Sequence, residues 1–175
     1  MRLTFRLATA AALVALPGCF ASREPLVSQR ESARLFGDRG FAKRVSFDRM
    51  GGGPLADMVA WRWDGDSYEI VSLANPRERV RYRLVPLDRE WILGQMIEGG
   101  RATYGLGRRD GPRIWTYAPE CRVLTDADRD RLELTFVDGQ TCMVGSRAQL
   151  RAALAKAVER GMRPDGYYEA VAAPR

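Results

Sequence analysis

Met58-Val59-Ala60-Trp61-Arg62-Trp63-Asp64-Gly65-Asp66-Ser67-Tyr68-Glu69-Ile70-Val71-Ser72-Leu73 is written as two strands and a turn. Val59, Trp61 and Trp63 alternate with Met58, Ala60 and Arg62, the period-two pattern of a half-buried strand, and Asp64-Gly65-Asp66 reverses the chain into Tyr68 to Leu73. The pattern continues outward. Downstream, Asn75-Pro76 turns the chain, and Val80, Tyr82 and Leu84 alternate with Arg79, Arg81 and Arg83. Trp91 to Ile97 precedes a Gly99-Gly100 turn, followed by Ala102, Tyr104 and Leu106. Arg109-Asp110-Gly111 then leads into Ile114 to Tyr117. Leu132, Leu134 and Phe136 pass through Asp138-Gly139 into Thr141 to Val144, a favourable two-residue hairpin sequence. Upstream, Phe41, Val45 and Phe47 form a first strand before the break at Gly51-Gly52-Gly53-Pro54. Sequential short strands with a turn signal about every ten residues predict a mainly β protein, an antiparallel meander curled into a small barrel or a two-layer sandwich.

Two helices flank the strands. Ser146 and Gln149 have capping-box spacing ahead of Leu150, Ala153, Leu154, Ala157 and Val158 at helical intervals, with Gly161 as the stop, so a helix is expected over 147–160. Near the N-terminus, Ser28 with Glu31, then Ala33, Leu35, Phe36 and Gly37, predict a helix of one to two turns.

The first residues carry an address. Arg2 and Arg6 precede a run from Leu7 to Leu16 that is apolar but for Thr9, and Gly18 sits before Cys19. This is signal-peptide layout. Ten helical residues rise ~15 Å, half of a hydrocarbon core of ~30 Å, too short for a permanent span. Leu16-Pro17-Gly18-Cys19 resembles the lipobox of bacterial lipoproteins, with Pro17 standing where a small or short aliphatic residue is usual. The resemblance implies removal of residues 1–18, a diacylglycerol thioether on Cys19 and a palmitate-type acyl chain on its new amine. Phe20 replaces the Asp that usually retains such proteins at the inner membrane, so the implied destination is the periplasmic face of the outer membrane. Residues 19–27 are then expected as a lipidated tether, and 28–175 as a single β-rich domain.

Processing leaves 157 of the 175 residues, enough for one core. It also lowers the formal charge from +6 to +4 by removing Arg2 and Arg6. Lys43 and Lys156 are the only lysines, so the cationic side is almost wholly arginine. Nucleic acid is not expected as a partner: no basic run carries interleaved aromatics, and no known module is visible. The chain contains no histidine, which removes Ser-His and Cys-His dyads and imidazole metal ligands. Cys121 and Cys142, left once Cys19 is assigned to lipid, are expected to pair in an oxidising compartment.

Several groups suggest chemistry. Arg77, Arg79, Arg81 and Arg83 fall on alternate residues, so an extended strand points them to one face as a candidate anion-binding ladder, or simply as a solvent face whose charge neighbouring acids offset. Asp126, Asp128 and Asp130 have the opening spacing of a calcium loop, but Arg131 stands where glycine is needed and Val137 where glutamate is needed, so no metal is expected. Gly51-Gly52-Gly53 lacks the GK[ST] ending of a phosphate loop and reads as a turn. Trp61, Trp63, Trp91, Trp115, Tyr68, Tyr82, Tyr104 and Tyr117 form either an ordinary aromatic core or the lining of a pocket. Asp64, Asp66, Glu69, Glu90 and Glu133 show no companion motif for carboxylate-based hydrolysis.

The outline is similar to a lipocalin-like or envelope-inhibitor-like barrel followed by a helix, as architecture alone, since the G-x-W signature of lipocalins is absent. The expected function is a membrane-anchored, non-enzymatic binding module for an envelope protein or an anionic glycolipid, without a cofactor. The alternative is a lipocalin-like carrier of a small apolar ligand.

Overall fold

The structure, a computed structural model, describes residues 20–47, 53–98 and 100–173. The period-two stretches become strands: β1 (Phe20–Ser22), β2 (Arg39–Phe47), β3 (Pro54–Trp63), β4 (Tyr68–Ser72), β5 (Arg79–Pro86), β6 (Trp91–Glu98), β7 (Arg101–Asp110) and β8 (Arg113–Tyr117). A short helix α1 (Asp126–Arg131), strands β9 (Thr135–Val137) and β10 (Thr141–Met143), helix α2 (Arg147–Glu159) and strand β11 (Gly166–Val171) complete the order.

Eight of the strands close a barrel. β2 to β8 form an antiparallel meander, β6 also pairs with β7, and the C-terminal β11 inserts between β2 and β8. The expected barrel is therefore present, and the last strand of the chain completes it. β7 serves a second sheet as well. One of its edges pairs with β6 throughout, while the other pairs with β8 over Leu106–Asp110 and with β1 over Ala102–Tyr104. β10 runs parallel to β1, and β9 pairs antiparallel with β10, giving a side sheet β7-β1-β10-β9.

Register assigns the two faces of the wall. Val59, Trp61, Trp63, Tyr68, Ile70, Tyr82, Ile92 and Met96 share the inner face through their cross-strand partners. Room for the large rings comes from strand glycines on that face. Gly40 lies under the Trp61 indole, where a Cβ would sit 2.8 Å from Cε2, and Gly94, Gly105, Gly107 and Gly166 also point inward. Trp63 packs edge-on to Tyr68 at 4.9 Å between centroids, and Phe36 follows at 5.8 Å from Tyr68.

The outer face of β6 to β8 carries a second core. Leu93, Ala102, Tyr104, Leu106 and Tyr117 pack there with Phe20, Leu124, Cys142, Leu150, Ala153, Leu154 and Ala157, so the apolar stripe of α2 lies on the outside of the barrel. The Ser146 side chain caps α2 by accepting from Gln149 N at 3.1 Å. Among the described residues no helix is long and apolar enough to cross a membrane.

Three local expectations are corrected. The predicted helix at 28–37 is only a 3-10 turn, Gln29–Glu31, because the following backbone bonds to the barrel instead: Ala33 N donates to Leu84 O and Phe36 N to Tyr68 Oη. Residues expected as a tether are folded from Phe20 onward, with Phe20, Ala21 and Val27 fully buried. Leu132 and Leu134 belong to the exit from α1 rather than to a strand, with Glu133 at φ 52°. Leu16-Pro17-Gly18-Cys19 and the rest of 1–19, Gly51-Gly52 and Gly99 lie outside the described residues.

Candidate functional site

Cys19 is bonded to Phe20, and the structure shows what receives Phe20. β1 is clamped between β7 and β10, and Val144 N donates to Ala21 O. Buried polar groups fasten the chain beyond it. Tyr104 Oη lies 2.6 Å from Ser22 Oγ and accepts from Leu26 N at 3.0 Å. Burial raises the Tyr104 pKa, so its hydroxyl stays a neutral partner. Gln95, 1% exposed, uses both ends of its amide on one residue: Oε1 accepts from Val27 N at 2.8 Å and Nε2 donates to Val27 O at 3.0 Å. Sequence reasoning missed this clamp, although a lone Gln within the apolar Trp91–Ile97 strand was its signal, since a buried amide requires partners.

Cys121 and Cys142 form a disulfide, with Cα atoms 5.4 Å apart. Cys142 is also the β10 partner of Phe20. The cross-link thus fastens the strand beside the N-terminal segment to the 3-10 turn Cys121–Val123 that follows β8.

The arginine ladder lies on β5, beside the clamp: Arg83 is the cross-strand partner of Gln95 and donates to Val27 O at 3.5 Å. Arg79, Arg81 and Arg83 point outward from β5, whereas Arg77 sits in the preceding turn, its N–H donating to Asn75 Oδ1. The strands are therefore alternating as read, but the fourth arginine is not in line. The three strand arginines meet acids. Arg81 bonds Asp64 at 2.8 Å, Arg83 bonds Asp66 at 2.9 Å, and Glu69 lies 3.9 Å from Arg79 and 3.8 Å from Arg81. Arg62, on β3, bonds the same Glu69 at 2.9 Å. Four cations and three carboxylates compose this wall, which is a mixed lattice rather than a bare positive face. It also occupies three of the five carboxylates weighed as catalytic candidates. Of the others, Glu90 lies exposed in the β5–β6 loop and Glu133 follows α1.

A charged group enters the barrel at the end where β2 finishes. Arg44 Nε and Nη2 bond the two oxygens of Asp57 at 2.8 Å each, and Nη2 reaches Glu78 at 2.6 Å. Burial opposes the Arg44 cation, but the hydrogen bonds it donates to both carboxylates outweigh this and raise its pKa. Tyr168 beside it is raised by burial against the pull of Arg44. The sequence reading did not single out Arg44, which lies on the face of β2 opposite Phe41, Val45 and Phe47.

The aromatics expected to converge divide in two. Trp61, Trp63, Tyr68 and Tyr82 point inward, while Trp91, Tyr104, Trp115 and Tyr117 point to the outer core. Asp128 of the discounted calcium spacing has a structural role: its carboxylate accepts from Thr125 N and from Arg160, tying α1 to the end of α2. Among the described residues no cluster of carboxylates and cysteines has metal-binding geometry. A shallow groove of about 220 Å³ lies between α1 and α2, lined in part by Leu132, Ala152 and Ala155.

The sequence matches no protein-family model, and neither curated proteins nor solved structures yield a match.

Proposed function

We propose that the protein is a lipoprotein held through Cys19 on the periplasmic face of the outer membrane. Its barrel acts as a non-enzymatic binding module for another envelope component, a protein or an anionic glycolipid. The observation that carries the binding-module reading is the filled inside of the barrel. Trp61 covers Gly40, Trp63 and Tyr68 pack together, and Phe36 caps the same end with Arg109 stacked on its ring at 5.7 Å. An eight-stranded barrel is narrow enough for side chains to fill it, and binding then falls to its outer surface. The acids that hydrolysis would need support the same reading, because Asp64, Asp66 and Glu69 are bound by arginines.

One observation favours the carrier reading. The indole N–H of Trp61 is buried in the barrel without an acceptor among the described residues, and a small ligand bearing an oxygen would satisfy it.

Native mass spectrometry of the protein extracted from its own envelope separates these readings. A mature mass starting at an acylated Cys19, alone or with a second protein, supports the anchored module. A stoichiometric small molecule replaces it with the carrier. Cys19→Ser should move the protein to the soluble periplasm; membrane attachment that survives this change refutes the lipid anchor.

A further inference from the structure

A lipid-anchored domain normally hangs from slack chain, so its orientation to the bilayer is free. Here the first described residue is already in a sheet, with Phe20 fully buried between Tyr104 of β7 and Cys142 of β10. One peptide bond separates Phe20 from Cys19, so the position of Phe20 beside Cys142 fixes where the anchor joins the domain. The strand seating it is immobilised from three sides. β7 pairs with it, β10 is cross-linked through Cys142, and the Gln95 and Tyr104 hydrogen bonds hold the chain beyond.

The surface nearest this point has the chemistry of a headgroup contact. The β9–β10 hairpin presents Phe136, 41% exposed, held by the Arg129 guanidinium 4.7 Å from its ring centre, a side chain only 15% exposed that donates to Leu124 O. Arg122 is exposed and donates Nε to Gly139 O, with no carboxylate partner among the described residues. Asp126 pairs with Arg129, and Asp138 is the exposed acid of the hairpin itself. Phe side chains insert at the headgroup–acyl boundary of interfacial surfaces, and cations are attracted by anionic lipids.

We infer that the β9–β10 edge of the side sheet, with Phe136 and the nearby Arg122, rests in the headgroup layer of the membrane that holds Cys19, giving the barrel one fixed orientation. This rests on the lipid anchor proposed above. β3 stands four strands from β7 in either direction around the barrel, so Arg62 lies on the side of the barrel away from the bilayer.

The test uses the lipidated full protein in vesicles of phosphatidylethanolamine and phosphatidylglycerol. A photo-crosslinking amino acid is placed at Phe136, at Gln140 or, as the distant control, at Arg62. Lipid adducts at 136 and 140, with none above background at 62, are expected. Vesicles that carry the protein but give no adduct at 136 and 140, or give equal adducts at 62, overturn the orientation while leaving the anchor intact. Protein adducts in place of lipid at 136 also overturn it, assigning the edge to a second chain. A mature protein whose mass lacks lipid, and which does not float with vesicles, overturns the anchor as well, and the mass spectrum identifies that failure separately.

Discussion

Replacing Gly166 by Ala should separate the strand that closes the barrel from its neighbour. Gly166 opens β11 opposite Ser46 of β2 and Thr116 of β8. A Cβ added there falls well inside contact with the Val45 carbonyl oxygen and 3.2 Å from both Val45 C and Ser46 Cα. All of these are backbone atoms, so no side chain can swing aside. Restoring an ordinary separation of about 3.5 Å requires β11 and β2 to part by roughly 1 Å. The same strand end is stitched by Phe47 N to Asp165 O and by Asp165 N to Thr116 O, and it cannot yield without straining both bonds. Overpacking costs about 1–3 kcal/mol and a weakened hydrogen bond about 1 kcal/mol, while the stiffer unfolded chain returns about 0.4–1 kcal/mol. The net loss is about 1–3.6 kcal/mol, or about 2–14 °C in Tm for a chain of this size. Gly94→Ala is the control. Its Cβ would meet Leu84 Cδ2 at 3.6 Å and Tyr82 Cδ1 at 3.7 Å, which is ordinary contact, so stability should hold or rise slightly. Guanidinium unfolding followed by tryptophan fluorescence measures both. Wild-type stability in Gly166→Ala, or an equal loss in Gly94→Ala, would refute the assignment of these glycines to the inner wall.

Three shorter predictions concern polar groups. Tyr68 Oη accepts from Phe36 N and donates to Gly37 O, so Tyr68→Phe should cost about 1–3 kcal/mol in the same unfolding assay by leaving both unpaired. Burial raises the Asp128 carboxyl, but hydrogen bonds from Thr125 and Arg160 outweigh it and hold its pKa below the ordinary carboxylate value. Its stabilisation should be complete above about pH 4 and fade as pH falls through that lowered pKa, a dependence that Asp128→Asn removes from stability curves taken against pH. Arg79 and Arg81 are more than half exposed, so changing both to Ser should alter stability by less than about 1 kcal/mol, and any loss of partner binding would then report on recognition.

Alternation in Met58–Leu84, with its Asp-Gly and Asn-Pro turns, was enough to read the meander, because each inner strand obtains its pattern from one buried face. Closure was not legible. β11 reads Gly166-Tyr167-Tyr168-Glu169-Ala170-Val171, and nothing local says that it inserts between β8 and β2, whose partner residues lie 50 to 130 positions earlier in the chain. The N-terminal helix failed for a related reason. Ser28 and Glu31 do meet, Ser28 N donating to the Glu31 carboxylate, but the next donors find stronger fixed partners on the barrel. The aromatics illustrate the limit of counting: period two places a ring on a face, and only closure decides which face is inside. Cys121 and Cys142 were readable as a pair because few alternatives remained, whereas their position beside Phe20 was not.

That position leads to the last prediction. The barrel's eight strands support each other around a closed ring and have no need of a cross-link. The side sheet differs: β1, β9 and β10 have three residues each, and short strands are marginal without added packing. What holds them is the apolar face of α2 and the disulfide, which spans a sequence separation of 21 and should contribute about 3 kcal/mol by restricting the unfolded chain. Reduction, or Cys121→Ser with Cys142→Ser, should therefore loosen the side sheet before the barrel. Hydrogen exchange would show it as faster exchange at Val144, whose N–H donates to Ala21, while Trp61 and Ala60, deep in the β2–β3–β4 wall, keep their protection. Uniform acceleration through both regions would mean that barrel and side sheet are one cooperative unit. The separate response would place the weak point of the molecule at β1, so that the oxidised Cys121–Cys142 pair holds that strand rigid and reduction gives it slack.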